Sequence, residues 1–175
     1  MKHLCVILFA VISCCAFSCT KNDNNVKPDN QLTGKWKMTE IKYTGTSTVN
    51  YDGESFITQF SGSGKDMNLH ISFSANPNTY NSNGDYTITL TMSVLGQEIQ
   101  QDFTINGFMG SGTWTKDGTT LVVTDKETGK SQPATIMQLD DKTIKILWGG
   151  DLTPSNAYNM PVKVVVNGTY VFERE

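Results

Sequence analysis

Tyr86-Thr87-Ile88-Thr89-Leu90-Thr91-Met92-Ser93-Val94 decides the fold class. Apolar side chains take every even position and hydroxyls every odd one, with no exception. Successive side chains of a strand point to opposite faces, so this stretch is greasy on one side and hydroxylated on the other. It predicts a half-buried antiparallel strand, with Tyr86, Ile88, Leu90 and Met92 facing a core and Thr87, Thr89 and Thr91 facing out.

Leu95-Gly96-Gln97 reads as a turn into a second strand, where Ile99, Phe103 and Ile105 share one face. Shorter alternating stretches surround this pair: Leu69-Ile71-Phe73 before it, then Leu121-Val123, Ile136-Gln138 and Ile144-Ile146-Trp148 after it. Turn-forming clusters separate them at Asn76-Pro77-Asn78, Lys116-Asp117-Gly118 and Asp140-Asp141. At the start, Trp36 and Met38 share one face while Ile41 and Tyr43 have the opposite parity, a flip that predicts a β-bulge near Glu40. At the end, Val162-Val164-Val166, Asn167-Gly168 and Tyr170-Phe172 read as a tight hairpin or as one bulged strand. No stretch after Gln31 has a helical period. A meander of this size must bury one apolar face and hide its edges, and closure into a barrel does both, which favours it over an open sandwich.

All four cysteines, Cys5, Cys14, Cys15 and Cys19, stand in the first 19 residues. Everything after them lacks a disulfide, a cysteine zinc site and a thiol nucleophile. Met1-Lys2-His3 and an apolar run from Leu4 to Phe17 precede Ser18-Cys19, the layout of a secretory signal ending at a processing site. The run is too short for an ordinary membrane-spanning helix. It resembles the bacterial lipoprotein signal, in which the cysteine thiol receives a diacylglycerol and the preceding peptide is removed. The resemblance implies residues 1–18 as signal peptide and Cys19 as the lipidated N-terminus, with Cys14 the competing position. It implies an outer-membrane, lipid-anchored envelope protein facing the periplasm or the cell surface. Residues 19–31 then form a polar tether, whose dozen residues after Cys19 span roughly 20 Å on average. Residues 32–175 are long enough to bury a core as one domain.

Leu32-Thr33-Gly34-Lys35-Trp36 opens the first strand of that domain, and Arg174 stands at the end of the last. Gly-x-Trp at this place is similar to the lipocalin signature, and the wider phrase resembles lipocalin-like bacterial lipoproteins. Ser111-Gly112-Thr113-Trp114 and Gly168-Thr169-Tyr170 are further echoes; a Thr-Asp-Tyr turn is not visible. The resemblance implies an all-β, antiparallel up-and-down meander closed into a lipocalin-like barrel of about eight strands. It further implies that Gly34, Trp36 and Arg174 close one end of it, the arginine packed across the indole.

Net charge is −3, and loss of Lys2 makes it one unit more negative. Nucleic-acid affinity rests on basic phosphate contacts, so nucleic acid is not an expected partner. One arginine in the whole chain leaves little capacity for bidentate recognition of phosphate or carboxylate. His70, the single histidine beyond the signal, falls on the polar face of its strand. Gly62-Ser63-Gly64 and Gly110-Ser111-Gly112 lack the spacing of a nucleophile elbow. Gly64-Lys65-Asp66 has Asp66 where a phosphate loop needs Ser or Thr, and reads as a flexible turn. Asn81-Ser82-Asn83-Gly84-Asp85 has Met92 where a calcium loop needs a bidentate glutamate, and also reads as a turn.

These readings predict a non-enzymatic monomer without cofactor or metal. Its membrane contact is the lipid anchor, and its ligand is a small apolar molecule held by Tyr86, Ile88, Leu90, Met92, Phe103 and Ile105. A barrel of eight strands can instead be filled by its own side chains. In that case the domain is an interaction module that meets a glycan or a protein through loops such as Gly149 to Pro161, which carries Tyr158 and Met160.

Overall fold

The computed structural model describes residues 31–94, 96–152 and 162–175. The signal, Cys19 and the tether up to residue 30, together with Tyr158 and Met160, lie outside the described residues. Nine strands follow one another: β1 (Gly34–Tyr51), β2 (Glu54–Ser74), β3 (Thr79–Val94), β4 (Gln97–Asn106), β5 (Ser111–Asp117), β6 (Thr120–Asp125), β7 (Ser131–Leu139), β8 (Thr143–Leu152) and β9 (Val162–Arg174).

All pairings are antiparallel, and the order β2-β1-β9-β8-β7-β6-β5-β3 closes on itself because β2 also pairs with β3. The result is a barrel-like ring of eight strands. β4 is the ninth and pairs with β3 alone. It runs beside the half of β3 from Asp85 to Val94, whereas β5 joins the other half at Thr79, Tyr80 and Asn81. Among the described residues, the ring is therefore fully paired at one end and leaves the outer edge of β4 without a strand partner at the other.

Two sequence expectations change, and one weakly patterned stretch proves to be strand. Residues 44–68 show little alternation, yet they complete β1 and β2, a long hairpin joined at Asp52-Gly53, both at positive φ. Gly64 to Asp66 lies within β2 rather than in a flexible turn, with a bulge at Asp66-Met67. Asn81 to Asp85 is strand as well, paired with β2 along its length and, on the other side, with β5 at Asn81 and β4 at Asp85. Between those two pairings, Ser82 and Gly84 bond the backbone of Gly110 and Gly107. Gly84 permits this: at φ +96° any Cβ would stand 1.8 Å from the Asn68 carbonyl oxygen, and only glycine accepts such an approach.

The parity flip in β1 is a register shift between Met38 and Glu40 against β9, which bends the strand around the ring. β9 is one strand whose register against β8 runs unbroken from Val164 to Glu173. Gly149, Gly150 and Asp151 belong to β8, not to a loop.

The two halves of the ring are packed differently. At the end where the chain enters, Trp36, Met38, Leu69, Leu121 and Ile144 are at most 1% exposed and fill the interior. Burial of each such side chain contributes about 1.5–3 kcal/mol, so this half is where the fold draws its stability. Toward the β1–β2 hairpin tip the inner face changes to alternating bulk and glycine. One cross-strand row reads Leu90, Gly62, Tyr43, Gly168, Trp148; the next reads Met92, Phe60, Gly45, Val166, Gly150.

Candidate functional site

That alternation makes the site. The Tyr43 ring lies directly on Gly62, and the Phe60 ring on Gly45, since a Cβ at either glycine would meet ring carbons at 2.3 Å. Trp148 likewise leans over Gly150 at 3.1 Å. An aromatic ring lying flat on a wall of glycine takes little of the space inside the ring of strands. Large side chains without glycine neighbours would project inward and meet, as they do at the other end.

The space left is a cavity of about 730 Å³, within the range of sites for drug-sized ligands. Tyr86, Ile88, Leu90 and Met92 line it from β3 and Ile105 from β4. Phe103 does not line it and is 42% exposed. It pairs with Ile88 and so shares the inward parity. However, β4 lies outside the ring of eight, and among the described residues its outer edge has no strand partner. Thr87, Thr89 and Thr91 take the opposite parity, and Thr89 donates to Asp102, which is also paired with Lys65 at 2.7 Å. These contacts hold the Asp102 carboxyl below its usual range.

The cavity floor comes from residues the sequence reading passed over. Between β4 and β5, Gly107-Phe108-Met109-Gly110 enters the ring instead of passing over it. Phe108 stacks on Tyr170 at 5.4 Å and meets Tyr86 edge-on at 5.8 Å. The backbone is held by Ser82, whose hydroxyl donates to the Phe108 carbonyl, and by the Tyr80 hydroxyl, which donates to the Met109 carbonyl at 3.0 Å. The two flanking glycines and Met109 all have positive φ, the mark of a tight reversal. An apolar pair between two glycines was the available signal. Beneath this floor only about 80 Å³ is left among the core side chains.

Three phenols stand on the wall just above the floor. Burial pushes Tyr43 up to about 12 and raises Tyr86 and Tyr170 further. Tyr86 and Tyr170 both lie against Phe108, and the Tyr170 ring lies over Gly168, the cross-strand partner of Tyr43, so the three phenols are neighbours on the wall.

At the opposite end, the Arg174 guanidinium carbon lies 4.1 Å from the centre of the Trp36 ring. Its three nitrogens donate to the carbonyls of Asp141, Thr33 and Gln31 at 2.7, 2.8 and 2.6 Å. Gly34 leaves the room: a Cβ there would stand 2.3 Å from an Arg174 nitrogen. The Trp36 Nε1 donates to the Leu32 carbonyl at 2.9 Å. One side chain thus joins the chain entry, the β7–β8 turn and the last strand.

The remaining candidates occupy ordinary structural positions. His70 Nδ1 lies 2.9 Å from a Glu175 carboxylate oxygen on the outer face. Asp140 accepts from the Lys142 and Thr143 amides at 2.9 and 2.8 Å and shapes the turn before β8. Among the described residues, no group of three His, Cys, Asp or Glu could hold a metal ion. No family model, curated protein or solved structure matches the chain.

Proposed function

We propose that the protein is a membrane-anchored, outer-membrane envelope lipoprotein whose lipocalin-like barrel holds a small apolar ligand in its hollow half. The observation that carries this reading is the division of the interior. One end is filled by bulky side chains, while the other holds a cavity of about 730 Å³ with aromatic rings laid flat on glycines. Packing to native density is the rule for protein interiors, so an apolar space of this size is a feature to be explained.

The direct test uses the full chain with Cys19→Ala, which keeps the cavity residues and removes the acylated thiol. Titration with an uncharged solvatochromic dye is expected to give saturable binding and a change in Trp148 emission. Leu90→Trp is expected to abolish binding while thermal unfolding stays cooperative. A dye that fails to bind the folded protein would overturn the reading. It would leave the second one, an interaction module that meets a glycan or protein partner. The exposed Tyr51, Phe56 and Ile57 at the hairpin tip favour that alternative.

A further inference from the structure

The described residues on the cavity wall include no lysine, arginine, histidine, aspartate or glutamate. The stretch 153–161, which joins β8 to β9, contains none either. The polar side-chain groups on the wall are the phenols of Tyr43, Tyr86 and Tyr170, with Ser47, Thr58, Gln132 and the indole N–H of Trp148. A carboxylate or ammonium entering this space would lose its hydration with no opposite charge to replace it, which is strongly unfavourable. A phenol both donates and accepts, so it satisfies a hydroxyl or a carbonyl with no net charge on either side.

The phenols are also placed unevenly. Tyr86 and Tyr170 both touch Phe108 on the floor, and the Tyr170 ring lies over Gly168, the cross-strand partner of Tyr43. Farther from the floor the wall becomes Phe60, Met92 and Val164, with only Ser47 and Thr58 as polar groups. Hydrogen-bonding capacity is concentrated at the deep end and hydrocarbon lies toward the mouth.

We propose that the cavity selects an uncharged amphiphile, a hydrocarbon body bearing a single hydroxyl or carbonyl, and seats that polar group deep, against Tyr43, Tyr86 and Tyr170. This rests on the ligand-binding reading above and adds the chemistry of the ligand and its orientation. Charged lipids such as ionised fatty acids are then excluded by the wall rather than by size.

The experiment is displacement of the uncharged dye from the Cys19→Ala chain by three ten-carbon competitors: the primary alcohol, the carboxylic acid and the alkane. At about pH 8, where the acid is ionised, the alcohol is expected to bind at least about tenfold more tightly than the carboxylate. Toward about pH 4 the acid is expected to approach the alcohol as its carboxyl takes up a proton, while the alcohol's affinity stays flat. Replacing all three tyrosines by phenylalanine is expected to remove the preference for alcohol over alkane while dye binding persists. The single Tyr→Phe variants supply the same readout in graded form if the triple variant does not fold. Equal or tighter carboxylate binding at about pH 8 would overturn the proposal. So would an alcohol preference that survives loss of the phenols. Dye binding with either of those results would leave the cavity reading standing, whereas no dye binding at all removes both.

Discussion

Arg174 shows how much one side chain can hold when its position in the chain is right. Its guanidinium makes three hydrogen bonds to backbone carbonyls and covers the Trp36 ring at 4.1 Å. Charge-assisted hydrogen bonds and a cation over an indole each contribute on the order of 1–2 kcal/mol. Arg174→Ala is therefore expected to lower stability by about 2–4 kcal/mol, measured by denaturant unfolding, with dye binding retained in the remaining folded fraction. Lysine cannot reproduce the fork, so Arg174→Lys is expected to recover less than half of the loss. Gly34→Ala tests the same contact from the other side and should be destabilising, because its Cβ and an arginine nitrogen would claim the same space at φ +135°. At the hollow end, Gly62→Val is expected to displace the Tyr43 ring into the cavity and weaken dye binding. Tyrosine ionisation offers a further check. For Tyr43, Tyr86 and Tyr170 the folded state raises the pKa, so their contribution is complete below about pH 10, the unfolded value. It is lost as pH rises through the folded values, about 12 for Tyr43. Stability measured across that window should fall, and the fall should be smaller in the triple phenylalanine variant.

The elements divide into those the sequence announces and those it conceals. β3 is legible residue by residue from Tyr86 onward, where it carries the core on one face and solvent on the other, but not at Asn81 to Asp85, whose Asn, Ser and Gly residues look like a turn. The cores of β6, β7 and β8 are legible for the same reason. The second half of β1 and the first half of β2 are not, because their inner face is built from Tyr43, Gly45 and Ser47 against Phe60 and Gly62. Glycine under an aromatic removes the apolar alternation that a reader looks for, while making the wall that the cavity needs. The region of weakest strand signal thus supplies the glycine-backed part of the cavity wall, beside the four residues that β3 contributes. The Phe108-Met109 floor was hidden for a different reason: a loop between two strands is expected to lie on the surface. Phe108→Ala is expected to join the cavity to the small space beneath it. Cavity creation in a core costs about 3–5 kcal/mol for a phenylalanine, less where the site is already partly open. The expected signature is a lowered unfolding midpoint with binding of bulkier competitors gained. The Asp140 turn makes an acid-side prediction. Hydrogen bonds from Gln138 and from the Lys142 and Thr143 amides hold its carboxyl below the usual value. Its contribution is therefore present above about pH 4 and lost as pH falls through the folded value, and Asp140→Ala should flatten that part of the stability profile.

Across the whole molecule, the chain enters and leaves at the filled end, while the cavity opens toward the hairpin tips. β1 alone spans about 60 Å at ordinary strand rise. If Cys19 carries the lipid, as proposed, a polar stretch of about a dozen residues reaching roughly 20 Å on average would put the anchor and the mouth at opposite ends of the domain. Quenchers placed in the bilayer should then leave cavity-bound dye bright, whereas water-soluble quenchers should reach it. Cys19→Ala should release the domain from membranes without changing its unfolding midpoint. The neighbouring ends also determine how the fold carries a mechanical load. Trp36 pairs with Arg174, and β1 and β9 stay in register from there to Val49 and Val162 apart from one bulge. Antiparallel hydrogen bonds run perpendicular to the strands. A pull between the two chain ends would meet those bonds one after another, like a zip opened from its top. A pull between the chain entry, at the start of β1, and Val162, at the far end of β9, would load many bonds of the same seam together, in shear. In single-molecule stretching, the same domain should give way at low force in the first geometry and resist in the second.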